Sequence, residues 1–214
     1  MRLTHTRPLV SLVIAGAALA GCGASSQPAT SPPIKVAPAT PAPVKVAPPP
    51  PAPAPTESNP AGDIPDSQVY VTYRYDHGGF TVKVPEGWSR TQKANGDVSF
   101  TDKLNRIELS GAPAATPPTP QSINAAVVPS LRAQVHGFTL GRITTVSRGA
   151  GPAVLVTYRG DGPVDHVTGK TAHDSFERYV FFKNGHQAVV TLSGPTGADN
   201  VDPWRTVTDS LRWL

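Results

Sequence analysis

The chain has 214 residues, a formal charge of +4 and a single cysteine. One cysteine excludes an internal disulfide, and so small a charge gives no basis for nucleic-acid binding or a polybasic hold on a membrane. All three tryptophans, five tyrosines and six phenylalanines fall after residue 69, so any sizeable core belongs to the C-terminal two-thirds.

At the start of the chain, Arg2 and Arg7 precede or flank the apolar run Pro8–Ala20. That run is shorter than the roughly 20 residues a membrane-spanning helix needs, and residues 1–21 read as a signal peptide. It ends in Leu19-Ala20-Gly21-Cys22, which resembles the bacterial lipobox at every position. The resemblance implies a diacylglyceryl group on Cys22, cleavage before it and acylation of the new N-terminus. The expected address is extracytoplasmic, lipid-anchored to the cell membrane and facing the cell wall or periplasm. Cleavage removes Arg2 and Arg7 and leaves 17 basic against 15 acidic residues.

Residues 22–68 read as the lipidated cysteine and a disordered tether. From Gly23 to Gln68, 14 of 46 residues are proline, and Ile34–Pro43 is repeated in Val44–Pro53 with seven of ten positions identical. Such a segment buries too little apolar surface to offset its ordering entropy. As extended polyproline II, at about 3.1 Å per residue, it reaches at most roughly 140 Å. Thr30, Thr40 and Thr56 suit O-glycosylation, and Pro48–Pro51 could serve as a docking motif.

Residues 69–214 read as one domain. Alternating β-branched and aromatic residues mark strands at Tyr70–Tyr75 and Phe80–Val84 around the turn Asp76-His77-Gly78-Gly79. Pro85-Glu86-Gly87 then closes the second strand and delivers Trp88 towards the core. Further strands are expected at Val98–Thr101, Arg106–Ser110, Phe138–Ser147 and Ala153–Arg159. The clearest hairpin turns at Asn184-Gly185, the pair that a type I′ turn prefers. A helix starting at Thr119-Pro120 carries Ile123, Val127, Leu131 and Val135, with Pro129 placed to kink or split it. A second helix is expected from an Asp202 N-cap and Pro203, with Trp204, Val207, Leu211 and Leu214 on one face. The order of strands, helix, strands and helix predicts an α+β domain, an antiparallel β-sheet with helices packed against one face.

Four motifs invite a chemical reading. His77-Gly78-Gly79 is similar to the oxyanion donors of some lipases, but that chemistry needs a G-x-S-x-G elbow and no serine here has one. Thr168-Gly169-Lys170-Thr171 resembles the end of a phosphate loop, yet Val164 stands where its first glycine is required. Asp165-His166 and His173-Asp174 bracket one loop and could ligate zinc, though their spacing is not diagnostic. The acidic residues form no pair suited to glycoside hydrolysis. No catalytic residue, cofactor or metal site is therefore expected. Trp88, Trp204 and Trp213 are the residues to watch for an interaction surface, because tryptophan is enriched among binding hot spots; the simpler reading places Trp88 and Trp204 in the core.

The lipobox and tether, the stretch "FTVKVPEGW" and the strand pair "GFTLGRITTVSRGAGPAVLVTYRG" together resemble the LpqN/LpqT-type lipoproteins of mycobacteria and their relatives. That resemblance covers most of residues 70–214, rests chiefly on Pro85–Trp88 and Gly137–Gly160, and does not extend to the proline-rich duplication. It implies a PsbP-like fold and a non-enzymatic module that binds a protein partner of the envelope or assists an envelope machine. A carrier of a lipid or small hydrophobic molecule, held in an apolar cavity, is the alternative.

Overall fold

A computed structural model of the protein describes residues 61–164, 169 and 171–214. The signal peptide, Cys22, the proline repeats, the three threonines and the Asp165-His166 pair lie outside the described residues. The chain runs through β1 (Tyr70–Tyr75), β2 (Phe80–Pro85), β3 (Ser89–Gln92), β4 (Val98–Asp102) and β5 (Asn105–Pro113). Helices α1 (Pro120–Ala126) and α2 (Val128–Gln134) follow, then β6 (Thr139–Arg148), β7 (Gly151–Val164), β8 (Thr171–Lys183) and β9 (His186–Pro195). Helix α3 (Val201–Asp209) and the short β10 (Arg212–Trp213) close the domain.

The strands form two sheets, not the single one expected. Three pair in the order β1-β2-β10 and seven in the order β3-β4-β5-β9-β8-β7-β6, and every pairing is antiparallel. Local chemistry accounts for most of the hairpins. Asn184 at φ 51 and Gly185 at φ 79 close the two-residue turn between β8 and β9. Asp76–Gly78 is a single 3-10 turn, and Gly79, at φ 67, turns the chain into β2. Pro129 divides the predicted helix into α1 and α2, with Val127 between them. α1 begins with a reciprocal cap, in which the Thr119 and Ser122 side chains each accept from the other's backbone N–H.

Alternation along the strands builds two cores on opposite faces of the large sheet. Leu155, Tyr179, Phe181, Val190 and Leu192 face the small sheet, where Phe80, Val82 and Val84 of β2 meet them beside Trp204, Val207 and Leu211. Val154, Val156, Tyr158, Val180 and Val189 face the other way and are covered by Ile123 and Leu131 of α1 and α2. The helices are thus split between the two faces, a correction to the expectation that they share one. The 3.6-residue period marks the apolar stripe of each helix but carries nothing about which face of a sheet it meets.

The last helix differs from its sequence reading at both ends. It starts at Val201 after Asn200, so Asp202 lies in its first turn rather than at the N-cap. Asn200 makes no side-chain cap. Its amide instead accepts from the Ile64 N–H at 2.8 Å and donates to the Gly62 carbonyl at 2.9 Å and the Asn105 amide oxygen at 3.1 Å. The helix stops at Asp209, and Arg212 and Trp213 pair with Thr81 and Phe80. A two-stranded ribbon is marginal alone, and the added strand extends β1-β2 while leaving Leu214 56% exposed, off the helical stripe. Residues 61–68, assigned by composition to the tether, also pack on the domain: Ile64 is only 6% exposed within the first core. Among the described residues no helix is long and apolar enough to cross a membrane.

Candidate functional site

The three tryptophans lie in three different surface depressions. Trp88, half-buried, lines a small one of about 160 Å³ with Gly62, Ile64 and Gln68. Trp213, also half-buried, packs edge-on to Phe80 at 6.3 Å and borders an opening of about 290 Å³ with His77, Lys183 and His186. Trp204 lines a groove of about 410 Å³. They do not form one surface.

The Trp204 groove is the best-developed of these sites, and its walls follow from strand register. On β7 and β8, Thr157 faces Glu177 and Arg159 faces Ser175, while Thr139 of β6 faces Arg159. These residues share the face on which α3 packs, and beyond Trp204 the sheet continues without helix cover. The β6–β7 register shifts between Leu140 and Ile143. Gly141 sits in this bulge, and a Cβ there would strike the Thr157 hydroxyl. A bulge beside a site is a usual way of re-aiming its wall.

A polar chain fixes one side of the groove. Arg148 Nη2 donates to the Tyr179 hydroxyl at 2.9 Å, and that hydroxyl donates to Glu177 Oε2 at 2.6 Å. Arg148 also donates through Nε to Thr208 Oγ1 at 3.1 Å, tying the network to α3. Burial, reinforced by the Glu177 carboxylate, pushes the Tyr179 hydroxyl up to about 12, so it remains a donor at any physiological pH.

One row further along the same face lies a His-Asp-His cluster. Asp161 faces His173 across β7 and β8, and His173 Nδ1 contacts Asp161 Oδ1 at 2.9 Å while His136 Nδ1 contacts Oδ2. The Asp161 N–H also donates to the His136 carbonyl at 2.8 Å. The hydrogen bond from His136, with charge from both imidazoles, holds the Asp161 carboxyl below its usual range. Sequence spacing paired His173 with its loop neighbours. Its actual partner, Asp161, and His136 were missed because they meet only through strand register and the turn after α2. Asp174 is 2% exposed, and burial raises its carboxyl to about 6. Among the described residues no group of three or more His, Cys, Asp or Glu side chains could hold a metal ion.

The remaining motifs are architectural. A Cβ on Gly78 would lie 2.5 Å from the Tyr75 ring and 2.6 Å from the Phe80 ring, and the Gly79 N–H donates to the Asp76 carbonyl at 3.2 Å. The glycines therefore serve close packing and a turn. Of the phosphate-loop-like stretch only Gly169 and Thr171 lie within the described residues.

No protein-family model matches the sequence, and no curated protein matches it. Several solved structures are similar to it. The solution structure of cyanobacterial PsbP (CyanoP) from Synechocystis sp. PCC 6803 is 14% identical with a TM-score of 0.50, covering 72% of this chain and 98% of that one. A crystal structure from Bacteroides thetaiotaomicron VPI-5482 is 10% identical with a TM-score of 0.44, over 64% of this chain and 45% of that one. A protein of unknown function from Pseudomonas aeruginosa is 13% identical with a TM-score of 0.39, over 63% and 90% of the two chains. This chain thus spans less than half of the Bacteroides chain. At such identities the likeness is one of fold, and that fold, mostly antiparallel sheet with three helices, is PsbP-like.

Proposed function

We propose that the protein is a non-catalytic accessory module of the cell envelope, of the LpqN/LpqT type. In this reading it is held to the membrane by acyl groups on Cys22 and carried on the proline-rich tether to dock on an envelope protein. The observation that carries it is the use to which polar side chains are put. Arg148, Tyr179 and Thr208 fasten α3 to the sheet, Asn105 and Asn200 clasp the segment at Gly62, and Asp161 joins the turn after α2 to β8. Groups spent on holding elements together are not converging on a reacting atom. The PsbP-like fold supports the same reading as a scaffold.

A carrier of a lipid or small hydrophobic molecule is the second reading. The Trp204 groove has the volume for it, within the roughly 300–1,000 Å³ of small-molecule sites, but its lining sets Arg159, Glu177 and four hydroxyl residues beside Leu140, Phe176 and Trp204. An acyl chain there would desolvate two charges without pairing them. Mass spectrometry of organic extracts of the purified protein should then find no stoichiometric lipid.

Photo-crosslinking residues placed one at a time at Thr72, Arg142 and Trp213 in cells would test the docking role. One protein captured from one position and not the others is the expected result. Capture from no position, or equally from all three, would end the proposal.

A further inference from the structure

We infer that the free edge of β6 takes up an extended, acid-bearing segment of the partner protein as an added antiparallel strand. This rests on the docking reading above and gives the surface and the partner chemistry that it uses. Among the described residues four strands lie at a sheet edge: β1 and β10 of the small sheet, β3 and β6 of the large one. Folded proteins blunt such edges by shortness, charge, proline or a bulge, because unpaired N–H and C=O groups recruit further strands. β3 and β10 are four and two residues long. β1 has six residues and ends at the Arg74–Asp76 ion pair. β6 runs for ten, and from Ile143 to Ser147 it carries no charge, no proline and no bulge.

The register shows which of its backbone groups are unpaired. Ser147 lies opposite Pro152, which has no N–H to exchange, so the bonded pairs of the β6–β7 ladder are Thr144–Leu155, Val146–Ala153 and Arg148–Gly151. The N–H and C=O of Ile143, Thr145 and Ser147 therefore point outwards. Their neighbours' side chains confirm the direction. The Ser147 carbonyl accepts from Arg148 Nη1 at 2.9 Å, and the Thr145 carbonyl from the Thr144 hydroxyl at 3.5 Å. Thr145 and Ser147 are exposed. Strand addition uses just such a row of main-chain groups for affinity.

Charge selects the occupant. Between Glu108 and Asp161 the chain carries four arginines and no acidic residue. Arg148 is held inside by Tyr179 and Thr208, but the other three are exposed and gather at the opposite end of β6. Arg142 lies in the bulge, Arg159 faces Thr139, and Arg132 sits over the Phe138 ring at 4.9 Å. Arg132 belongs to α2 and Arg159 to the face on which α3 packs, so they flank that end from both sides of the sheet. An antiparallel segment meets them with the residues that follow its strand, and carboxylates there would form charge-assisted bonds with the guanidinium groups. A second copy of this chain would bring arginine to arginine, since this stretch has no carboxylate to offer, and like charges across strands repel.

The test places a photo-crosslinking residue at Ser147 of the full chain in cells and maps the captured segment by mass spectrometry. The expected result is one acid-bearing, extended segment of one envelope protein. Capture should fall about tenfold in Thr145→Pro, which removes an outward donor, and about tenfold in Arg142→Glu, which reverses the charge. Proline at an outward edge position breaks no ladder bond, so the purified Thr145→Pro chain should melt close to the wild type. Should it instead unfold, Arg142→Glu, at an exposed position, carries the test. Capture from Thr72 or Trp213 with none from Ser147 would overturn the inference and leave the docking role standing, whereas capture from no position would end both. A second copy of this chain, a basic segment, or capture that either folded variant leaves undiminished would also overturn it.

Discussion

At the scale of single residues, two carboxyls are shifted in opposite directions for opposite reasons. Asp161 is held below its usual range, first by the hydrogen bond from His136, so its contribution is present above the ordinary carboxylate pKa and disappears as pH falls through the depressed one. Asp174 is raised to about 6 by burial. Its contribution is complete below its ordinary value and is lost as pH rises through about 6. Asp174→Asn should therefore gain stability over the wild type between about pH 4 and pH 7, by an amount on the order of 1–3 kcal/mol. Asp161→Asn should instead lose part of the wild type's advantage at neutral pH and show a shallower fall in acid. Thermal melts at stepped pH would decide this, and parallel curves for wild type and Asp174→Asn would refute the burial argument. The adjacent glycines of the β1–β2 turn make a second pair. Gly79→Ala strains a left-handed residue in open space, worth about 1–2 kcal/mol, whereas Gly78→Ala drives a methyl group into the Tyr75 and Phe80 rings. Those rings are 2% and 0% exposed and cannot move aside, so Gly78→Ala should cost up to about 3 kcal/mol and the more of the two. Equal losses in urea titrations would remove the packing explanation.

At the scale of elements, what was legible in the sequence is what is decided locally. Asn184-Gly185 specifies its own turn, and Pro129 breaks its own helix. The Thr119–Ser122 cap is equally local, a Thr-x-x-Ser around Pro120 and Gln121 in which each side chain serves the other's backbone. Thr119→Ala should cost about 1 kcal/mol, read as a fall in melting temperature of about 2–4 °C for a domain of this size. Ser122→Ala should cost less than that again in the Thr119→Ala background, because the cap is one unit; fully additive losses would show that the two bonds are independent. What was not legible is decided by pairings distant in sequence. Arg212-Trp213 becomes a strand only because β2 offers it an edge, and α3 gives up its last turn to allow that. β3 has four exposed residues and no alternation to betray it. The same limit applies to the candidate site. Trp204 was visible as a residue of interest, but Arg159, Glu177 and Thr157 meet it through the register of β7 and β8. His136 and Asp161, 25 residues apart, have no spacing signal at all.

At the scale of the whole molecule, the absence of any disulfide from residues after Cys22 means that the two filled cores and their polar fastenings carry the stability. One of those fastenings changes where the domain begins. The Gly62 carbonyl accepts from both Asn105 and Asn200, at 2.8 and 2.9 Å, and the Asp199 N–H donates to Asp63 at 2.9 Å. Asn105 and Asn200 are 5% and 3% exposed, so without Gly62 and Ile64 their amides would be buried and short of partners. Composition places this segment in the tether because Pro60, Gly62 and Pro65 look like linker residues, yet the backbone carbonyl that matters is independent of side chain. Removing residues 23–53 should leave stability unchanged. Removing residues 23–68 should cost about 4 kcal/mol, from the loss of Ile64 burial and of two buried amide partners. Urea unfolding of the two deletions measures the difference directly. If they unfold at the same midpoint with the same slope, the clasp is ornamental and the domain begins at Val69, as composition alone would have it; a gap of several kcal/mol means that the folded domain includes the segment at Gly62 and Ile64, held by Asn105 and Asn200.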